Sequence, residues 1–522
     1  MNLQVELRIS PEEATDDNTC RNLLACQLEV PESNITFFTL LRRSLDARQR
    51  KVVVNLLFDV WLDEEPQSLN KEDHQLKLQN VSSAPEVIVI GAGPAGLFAA
   101  LRLIELGYRP IILERGRSVR ERRHDIATIM RHRLVNENSN YCFGEGGAGT
   151  FSDGKLFTRS HKRGSTQRIL NILVANGADK NILIDAHPHI GTNRLPGIIE
   201  QMRESIIACG GEVRFSSRVT EFDKDATGIT SVRTDKGELF KAKAIILATG
   251  HSARDIFSLL NNIGLQIELK PFALGLRIEH PQPLIDKLQY KQLKGSPYLP
   301  AASYSLKAQT KGRGVFSFCM CPGGIICPAA TAPGEVVVNG WSPSRRNSPF
   351  ANSGIVTEVD CDDFAPWKEK GELAGVHFQQ HIERRAFSAA GSSLSAPGLR
   401  LTDLLANKIS NSLPECSYHP GITPVSFSEF LPAAVLQRLK DGLKQFGNKL
   451  PGYITNEAIV VGVESRTSSP IRIPRDKNTL CHPQAAGLFP CGEGAGYAGG
   501  ILSAAMDGER CAAAVDAYMQ GK

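Results

Sequence analysis

The sequence predicts an α/β fold, and three stretches of it carry that prediction. VIVIGAGPAGLFAALRLIELG (87–107) reads as a buried strand, a glycine turn and a helix. PIILER then returns as a second strand, which completes a βαβ unit. Residues 211–250 run as short alternating segments with turns at DKDATG and DKG, a β-meander that leads into an apolar strand ending at Thr249-Gly250. Residues 485–522 again order strand, glycine-rich turn and helix, in GLFPCGEGAGYAGG and ILSAAMDGERCAAAV. Together they predict a Rossmann-like core from 87–270 and 455–522.

The other elements follow in chain order. Residues 1–69 read as a small α+β unit. LQVELRI alternates as a strand, SNITFFTLLRRSLDARQ carries the pattern of a capped amphipathic helix, and KVVVNLLFDVWL reads as a second strand. Arg42, Arg43, Arg48, Arg50 and Lys51 on that helix form either a solvated face or an RNA contact. The polar, turn-rich stretch 70–86 reads as a linker. Residues 271–454 are richer in Pro and Gly and lack a βαβ rhythm, which suits an inserted mixed α/β part that covers a substrate.

Bulk composition excludes several classes. The 522 residues carry a formal net charge of only +5, which argues against a dedicated nucleic-acid or membrane-surface binder. With 42% hydrophobic and 22% charged residues the chain is globular. No run approaches a spanning helix, and the N-terminus lacks the basic and apolar regions of a signal peptide. The 12 Cys are scattered without a paired framework, as in a reduced cytoplasmic protein.

The pattern G-x-G-x-x-G occurs at Gly91/Gly93/Gly96, Gly144/Gly146/Gly149 and Gly494/Gly496/Gly499. Only the first lies between an apolar strand and a long helix, with an acidic residue, Glu114, ending the next strand. There Gly91 permits the turn, Gly93 lets backbone approach a pyrophosphate, and Gly96 lets helix and strand pack. The helix N-terminus presents N–H groups to the phosphates, and Glu114 is placed to accept ribose hydroxyls. The second match runs into TFSDGKLF and not a helix, and the third has too little chain after it for another sheet. One resident dinucleotide site is expected.

The strings VIVIGAGPAGLFAA, FGEGGAGTFSDGKL, HIGT, ILATGHSARD, FCMCPGG, ESRTSSPIRIPRD and GEGAGYAGGI span nearly the whole chain. Through them the sequence resembles flavoproteins of the glutathione-reductase type, and more narrowly a bacterial family of FAD-dependent dehydrogenases. The resemblance implies FAD as cofactor. It implies that Gly250, Gly492, Glu493, Gly494, Gly500 and Ile501 hold the ribityl chain and the flavin pyrimidine edge, Glu493 standing where many relatives have Asp. It also implies that Gly144, Gly146, Gly147 and Gly149 offer backbone N–H groups, with Thr150, Ser152 and Lys155 near the ring or substrate. Lys155 would stabilise charge on reduced flavin; the alternative is an exposed lysine on a surface loop.

Further residues have two readings each. Arg115 and Arg122 follow Glu114 and could steady the diphosphate, or belong to a solvated helix. His187, His189 and His251 are acid–base candidates or structural histidines, with His189 and His251 ranked first by the resemblance. Cys319, Cys321 and Cys327 lack metal-site spacing, so no metal is expected. They pack around a Pro-Gly-Gly turn or form a redox pair. Arg466, Arg472 and Arg475 could receive an anionic substrate, or bridge domains. The expected activity is hydride transfer between a small-molecule substrate and FAD, with NAD(P)H able to enter transiently. A flavin-dependent RNA-modifying enzyme and a non-catalytic flavin-bound redox sensor are the competing classes.

Overall fold

In the computed structural model, which describes residues 1–49, 51–65, 76–157, 164–225, 228–310 and 312–521, the chain opens with β1 (Asn2–Ile9), α1 (Asp17–Leu28), β2 (Ile35–Asp46) and β3 (Val53–Leu62). These strands form an antiparallel sheet in the order β1-β3-β2, with α1 on one face. The helix predicted over SNITFFTLLRRSLDARQ is therefore β2. Its Ile-Thr-Phe-Phe run favours a pleated surface. Register shifts between Ile35 and Phe37 and between Leu40 and Arg42 break the alternation that would have announced a strand. The actual helix is α1, capped by Asp16, whose carboxylate accepts from the Thr19 N–H at 2.9 Å. With no basic helix, the feature that suggested RNA is gone. Arg43 pairs instead with Asp185 at 2.8 Å, while Arg50 lies outside the described residues.

The first part of the expected linker, 70–75, also lies outside the described residues. The rest packs on the core: Val81 is buried and its N–H donates to Cys209 O.

Next come β4 (Glu86–Ile90), α2 (Pro94–Glu105), β5 (Arg109–Leu113), α3 (Val119–His132), α4 (Thr166–Ala175), α5 (Leu195–Ala208) and β6 (Glu212–Arg214). The meander is β7 (Val219–Lys224), β8 (Ile229–Thr234) and β9 (Leu239–Lys241), followed by β10 (Ile245–Leu247) and α6 (Arg254–Asn262). Alternate residues of the parallel strands face opposite layers. Val87, Val89, Ile112 and Ile246 pack with α2, α5 and α11 (Ile501–Met519, at the end of the chain), whereas Ile88, Ile90, Ile111 and Leu113 pack with α6 and the meander. Burial on both faces is why these strands read as unbroken apolar runs.

After β11 (Glu268–Leu269) the chain leaves for a second sheet. This part of the chain runs β12 (Phe272–Pro281), α7 (Gln282–Tyr290), β13 (Lys307–Thr310), β14 (Arg313–Cys321), β15 (Ile325–Pro328), β16 (Val338–Trp341), β17 (Phe350–Val359), α8 (Ala374–Ala389), β18 (Ala396–Arg400), α9 (Leu401–Leu405), β19 (Ile422–Pro424), α10 (Ala433–Lys449) and β20 (Ile459–Glu464), with β15 and β16 paired apart as a two-stranded sheet. The seven-stranded order is β13-β14-β17-β12-β20-β18-β19. Strand β20 lies between β12 and β18, so residues 459–464 belong to this sheet and not to the Rossmann-like core that the sequence reading extended back to 455. The chain then returns through β21 (Ile471–Arg472), which pairs with β11, to β22 (Leu488–Pro490) and α11. Strand β22 completes a parallel sheet in the order β22-β10-β4-β5-β6. Among the described residues no helix is long and apolar enough to cross a membrane.

Candidate functional site

The three glycines of the first turn are constrained in different ways. Gly91 sits at φ +104°, and a Cβ there would lie 2.5 Å from Ala248 O. A Cβ on Gly96 would lie 1.9 Å from Gly91 O. Both are demanded by the protein's own backbone. On Gly93, at the head of α2, a Cβ would meet only Gly147 Cα, at 4.0 Å. The turn thus keeps a side-chain-free approach to a helix N-terminus, which is what a pyrophosphate needs.

Glu114 is buried, and its carboxylate accepts from three backbone N–H groups: Ala92 at 2.8 Å, Gly116 at 2.9 Å and Gly144 at 2.9 Å. It ties the first turn to the 144–149 loop. A carboxylate has about four acceptor sites, so at most one remains for a ribose hydroxyl. The expected pair of ribose contacts is reduced accordingly.

The 144–149 loop departs from expectation. Three of the four expected N–H groups are already used, Gly144 by Glu114, Gly146 by Ala92 O and Gly147 by Gly144 O, which leaves Gly149 of the set. The loop packs backbone to backbone against the Gly91–Gly96 turn, and Gly149 lies against Pro94 and Ile501. Arg122, expected at the diphosphate, is fully buried and fully committed. Its five N–H groups donate to Asn140 O, Glu145 O, Thr150 Oγ1, Tyr141 O and Gly147 O. Thr150 is likewise buried, donating to Glu145 O at 2.6 Å, and Ser152 closes the loop by donating to Gly149 O at 2.7 Å. These three side chains build the loop. Arg115 pairs with Asp255 at 3.0 Å, lies 4.1 Å from the Phe143 ring centroid, and keeps a buried Nε without a partner.

The C-terminal turn packs on the first turn and on the chain just after β10. A Cβ on Gly494 would lie 2.4 Å from Gly250 O, so the 492–494 and 249–250 backbones touch, while Gly250, Gly499 and Gly500 face open space. The Gly492 N–H is held by Asp507 at 2.8 Å. The Glu493 carboxylate has no hydrogen-bond or ion-pair partner among the described residues, and burial, with nearby Cys319 adding, pushes it up to about 7.

Beyond Glu493 lies a cluster that the sequence kept apart. Lys155 Nζ is 3.3 Å from Asp153, 3.8 Å from Cys319 Sγ and 3.7 Å from Cys321 Sγ. Burial opposes its charge, but the two sulfurs and Asp153 outweigh it and raise its pKa. It is not a solvated surface lysine. Arg277, buried in the middle of β12, lies 2.7 Å from Glu464 and donates to Asn352 at 2.7 Å and Cys319 O at 2.9 Å. Reasoning from sequence missed Arg277 and Glu464. A charged residue inside the apolar run FALGLRI was the signal.

The acid–base candidates are placed less favourably. The His189 backbone bridges to Lys155, but its ring contacts Ser344 O at 3.2 Å, and burial lowers its pKa. Burial and then the nearby Arg466 and Arg254 lower His251 to about 4, which leaves it neutral near pH 7. His187 is exposed and packs on Phe157. Arg466, expected to receive substrate, is buried against Glu383 and Glu335 at 2.9 Å, beside Arg254, and so joins α8 to the head of α6. Arg475 is likewise consumed by Asp507 at 2.6 Å. Only Arg472 of the three stays exposed, 5.8 Å from the Tyr497 ring centroid.

The residues therefore fit FAD: a bare approach at Gly93, open space beside Gly250, Gly499 and Gly500, and a carboxyl without a hydrogen-bond partner at Glu493. When bound, FAD supplies a two-electron acceptor and donor.

Residues 85–258 match the family described as pyridine nucleotide-disulphide oxidoreductase, residues 271–467 the family described as FAD-dependent protein, C-terminal domain-like, and residues 1–61 a domain of unknown function. A Clostridium beijerinckii protein described as uncharacterized is 37% identical over 514 residues, 95% of each chain. Among solved structures, CtdE in complex with FAD is 12% identical over 83% of this chain and 84% of that one, with a TM-score of 0.31. Glycine oxidase from Geobacillus kaustophilus is 12% identical over 84% and 94%, with a TM-score of 0.33. Membership rests on the sequence matches and not on these remote structures. The chain belongs to the family of its Clostridium beijerinckii relative and is an FAD-dependent oxidoreductase.

Proposed function

We propose that the protein transfers hydride between a small-molecule substrate and FAD, with NAD(P)H as a visiting donor, in the cytoplasm. The observation that carries this reading is the contact of the Gly91–Gly96 turn with both the 144–149 loop, which runs on in sequence to Lys155, and the 492–500 turn. In this reading, the N-terminus of α2 and Gly93 hold the diphosphate, Glu114 keeps one acceptor for the ribose, and Glu493 takes the ribityl hydroxyls. Lys155 orients the pyrimidine edge and stabilises negative charge there. The domain division that goes with this reading is an N-terminal unit 1–69, an FAD-binding part from 87–270 and the chain after 464, and a substrate-side part between them. Arg472 is the arginine left to meet an anionic substrate.

The test is release and reduction. Denatured protein should release FAD and not FMN, and anaerobic NADH or NADPH should bleach the flavin absorbance of the holoprotein within its turnover time. Release of FMN defeats the nucleotide-end assignment. FAD that is present but inert to both nicotinamides removes NAD(P)H from the reaction and leaves the substrate as direct reductant.

A further inference from the structure

Strand β14 ends in Phe318-Cys319-Met320-Cys321. Residues i and i+2 of a strand share a face, but at about 3.3 Å rise per residue their Cα atoms are near the upper limit of disulfide reach. This strand is not regular there. Phe318 opposes Gly354 and Cys321 opposes Asn352, so β14 carries one extra residue, and Cys319 takes φ +47°. A bulge of this kind bends the strand and re-aims its side chains, and bulges recur beside active sites.

Both sulfurs face one ammonium, Lys155 Nζ, at 3.8 and 3.7 Å. A second cation, Arg277, reaches Cys321 Sγ at 3.6 Å from the buried side. Cys319 is exposed and Cys321 is buried. This asymmetry is what an attacking and a resolving thiol require, since one must be reached and the other shielded. The hydrogen bond from Cys321, with Lys155 and Arg277 near, holds the Cys319 thiol well below its ordinary pKa, and the same contact holds Cys321 above it. Each cation also has a carboxylate partner, Asp153 for Lys155 at 3.3 Å and Glu464 for Arg277 at 2.7 Å, and both still reach the sulfurs.

We propose that Cys319 and Cys321 are a redox-active pair that reduces a disulfide-bearing substrate, Cys319 attacking and Cys321 resolving. The Cys319 thiolate bonds to one substrate sulfur, the substrate S–S bond breaks, and the leaving thiolate takes a proton from solvent. Cys321 then gives up its proton and bonds to Cys319, and the second substrate thiolate leaves and receives that proton. The pair is oxidised by two electrons and the substrate becomes two thiols. Returning the pair to thiolate and thiol takes two electrons and one proton, a hydride equivalent. Reduced FAD supplies it, and this last step rests on the function proposed above.

The experiment uses anaerobic holoprotein and 5,5′-dithiobis(2-nitrobenzoate) as the disulfide probe, read by peptide mass. In wild type the peptide spanning 319–321 should become lighter by two hydrogens and retain no adduct. In Cys321→Ala the thionitrobenzoate adduct should stay on Cys319, and in Cys319→Ala the peptide should remain unmodified; Cys→Ser versions replace any Ala variant that fails to fold. A stable adduct on wild-type Cys319, or an unmodified wild-type peptide, overturns the pair. Reductive titration then reads the link to the cofactor. Oxidised wild type should consume two more electron equivalents per FAD than the Cys319→Ala/Cys321→Ala variant, and equal consumption overturns that link. FAD content, measured separately, reports on the proposed function alone, because the peptide result does not need the cofactor.

Discussion

Glu114 and Glu493 are used in opposite ways. Glu114 accepts from three backbone N–H groups, the farthest only 30 residues away in the chain, so its surroundings are written in local sequence. The Glu493 carboxylate meets no backbone donor among the described residues and stands near Cys319, in a region where Lys155 touches sulfurs 164 and 166 residues away. The nucleotide end is a local turn whose geometry glycine dictates. The sulfur end exists only because a bulged strand of the second sheet docks on a loop of the first part. One end tests short-range sterics, the other long-range assembly.

The largest effect should separate fold from binding at the nucleotide end. A Cβ on Gly96 would lie 1.9 Å from Gly91 O, backbone that has nowhere to move. Gly96→Ala should therefore destabilise even the apoprotein by about 3 kcal/mol, seen as a fall in Tm. An unchanged Tm would mean that the turn and helix do not pack as described. Next comes Gly93→Val. Because the nearest atom to a Cβ there is Gly147 Cα at 4.0 Å, the apoprotein should keep its unfolding free energy within about 0.5 kcal/mol. FAD retention after gel filtration should nevertheless be lost. Full occupancy would show that the diphosphate lies elsewhere.

The same contrast explains what could be read from the chain. Gly91, Gly93, Gly96 and Glu114 were legible because a βαβ turn admits few solutions within thirty residues of sequence. The meander and the C-terminal strand–turn–helix were legible for the same reason. Strand β2 was misread because two bulges erased its period. Strand β20 was assigned to the wrong sheet because pairing with β12 and β18 is invisible to local pattern. Arginines were the hardest. Sequence marks the charge of Arg122 or Arg466 but not that its donors are already engaged by loop carbonyls or buried carboxylates. The meeting of Lys155 with Cys319 and Cys321 depends on sheet register, which no motif encodes.

At the sulfur end, Lys155→Met should leave FAD bound and lower its reduction potential. Losing about 1–3 kcal/mol of charge-assisted interaction corresponds to tens of millivolts for a two-electron couple. The same change should slow alkylation of Cys319 at mildly acidic pH, because the ammonium that favours its thiolate is gone. Spectroelectrochemistry with peptide-resolved alkylation reads both. A shifted potential with unchanged alkylation would separate lysine from sulfur and weaken the cluster.

The smallest effect concerns Glu493 and has a definite sign. Burial raises its carboxyl from 4.5 to about 7 in the folded chain, so between those values the folded state holds a proton that the unfolded chain has released. That contribution to stability is complete below about 4.5 and disappears as pH rises through about 7, so the apoprotein should lose stability over this window. Glu279 and Glu464 are also raised to about 7, and they add the same slope to any single protein. The difference between wild type and Glu493→Gln isolates one group: the variant should gain about 1 kcal/mol relative to wild type between pH 5 and pH 8, after allowance for partial solvent access. If ribityl hydroxyls donate to this carboxylate, bound FAD favours the ionised form and the pH-dependent difference should shrink in the holoprotein. A difference of the same size with and without FAD would mean that Glu493 does not face the cofactor, and the two carboxylates would then differ in solvation alone.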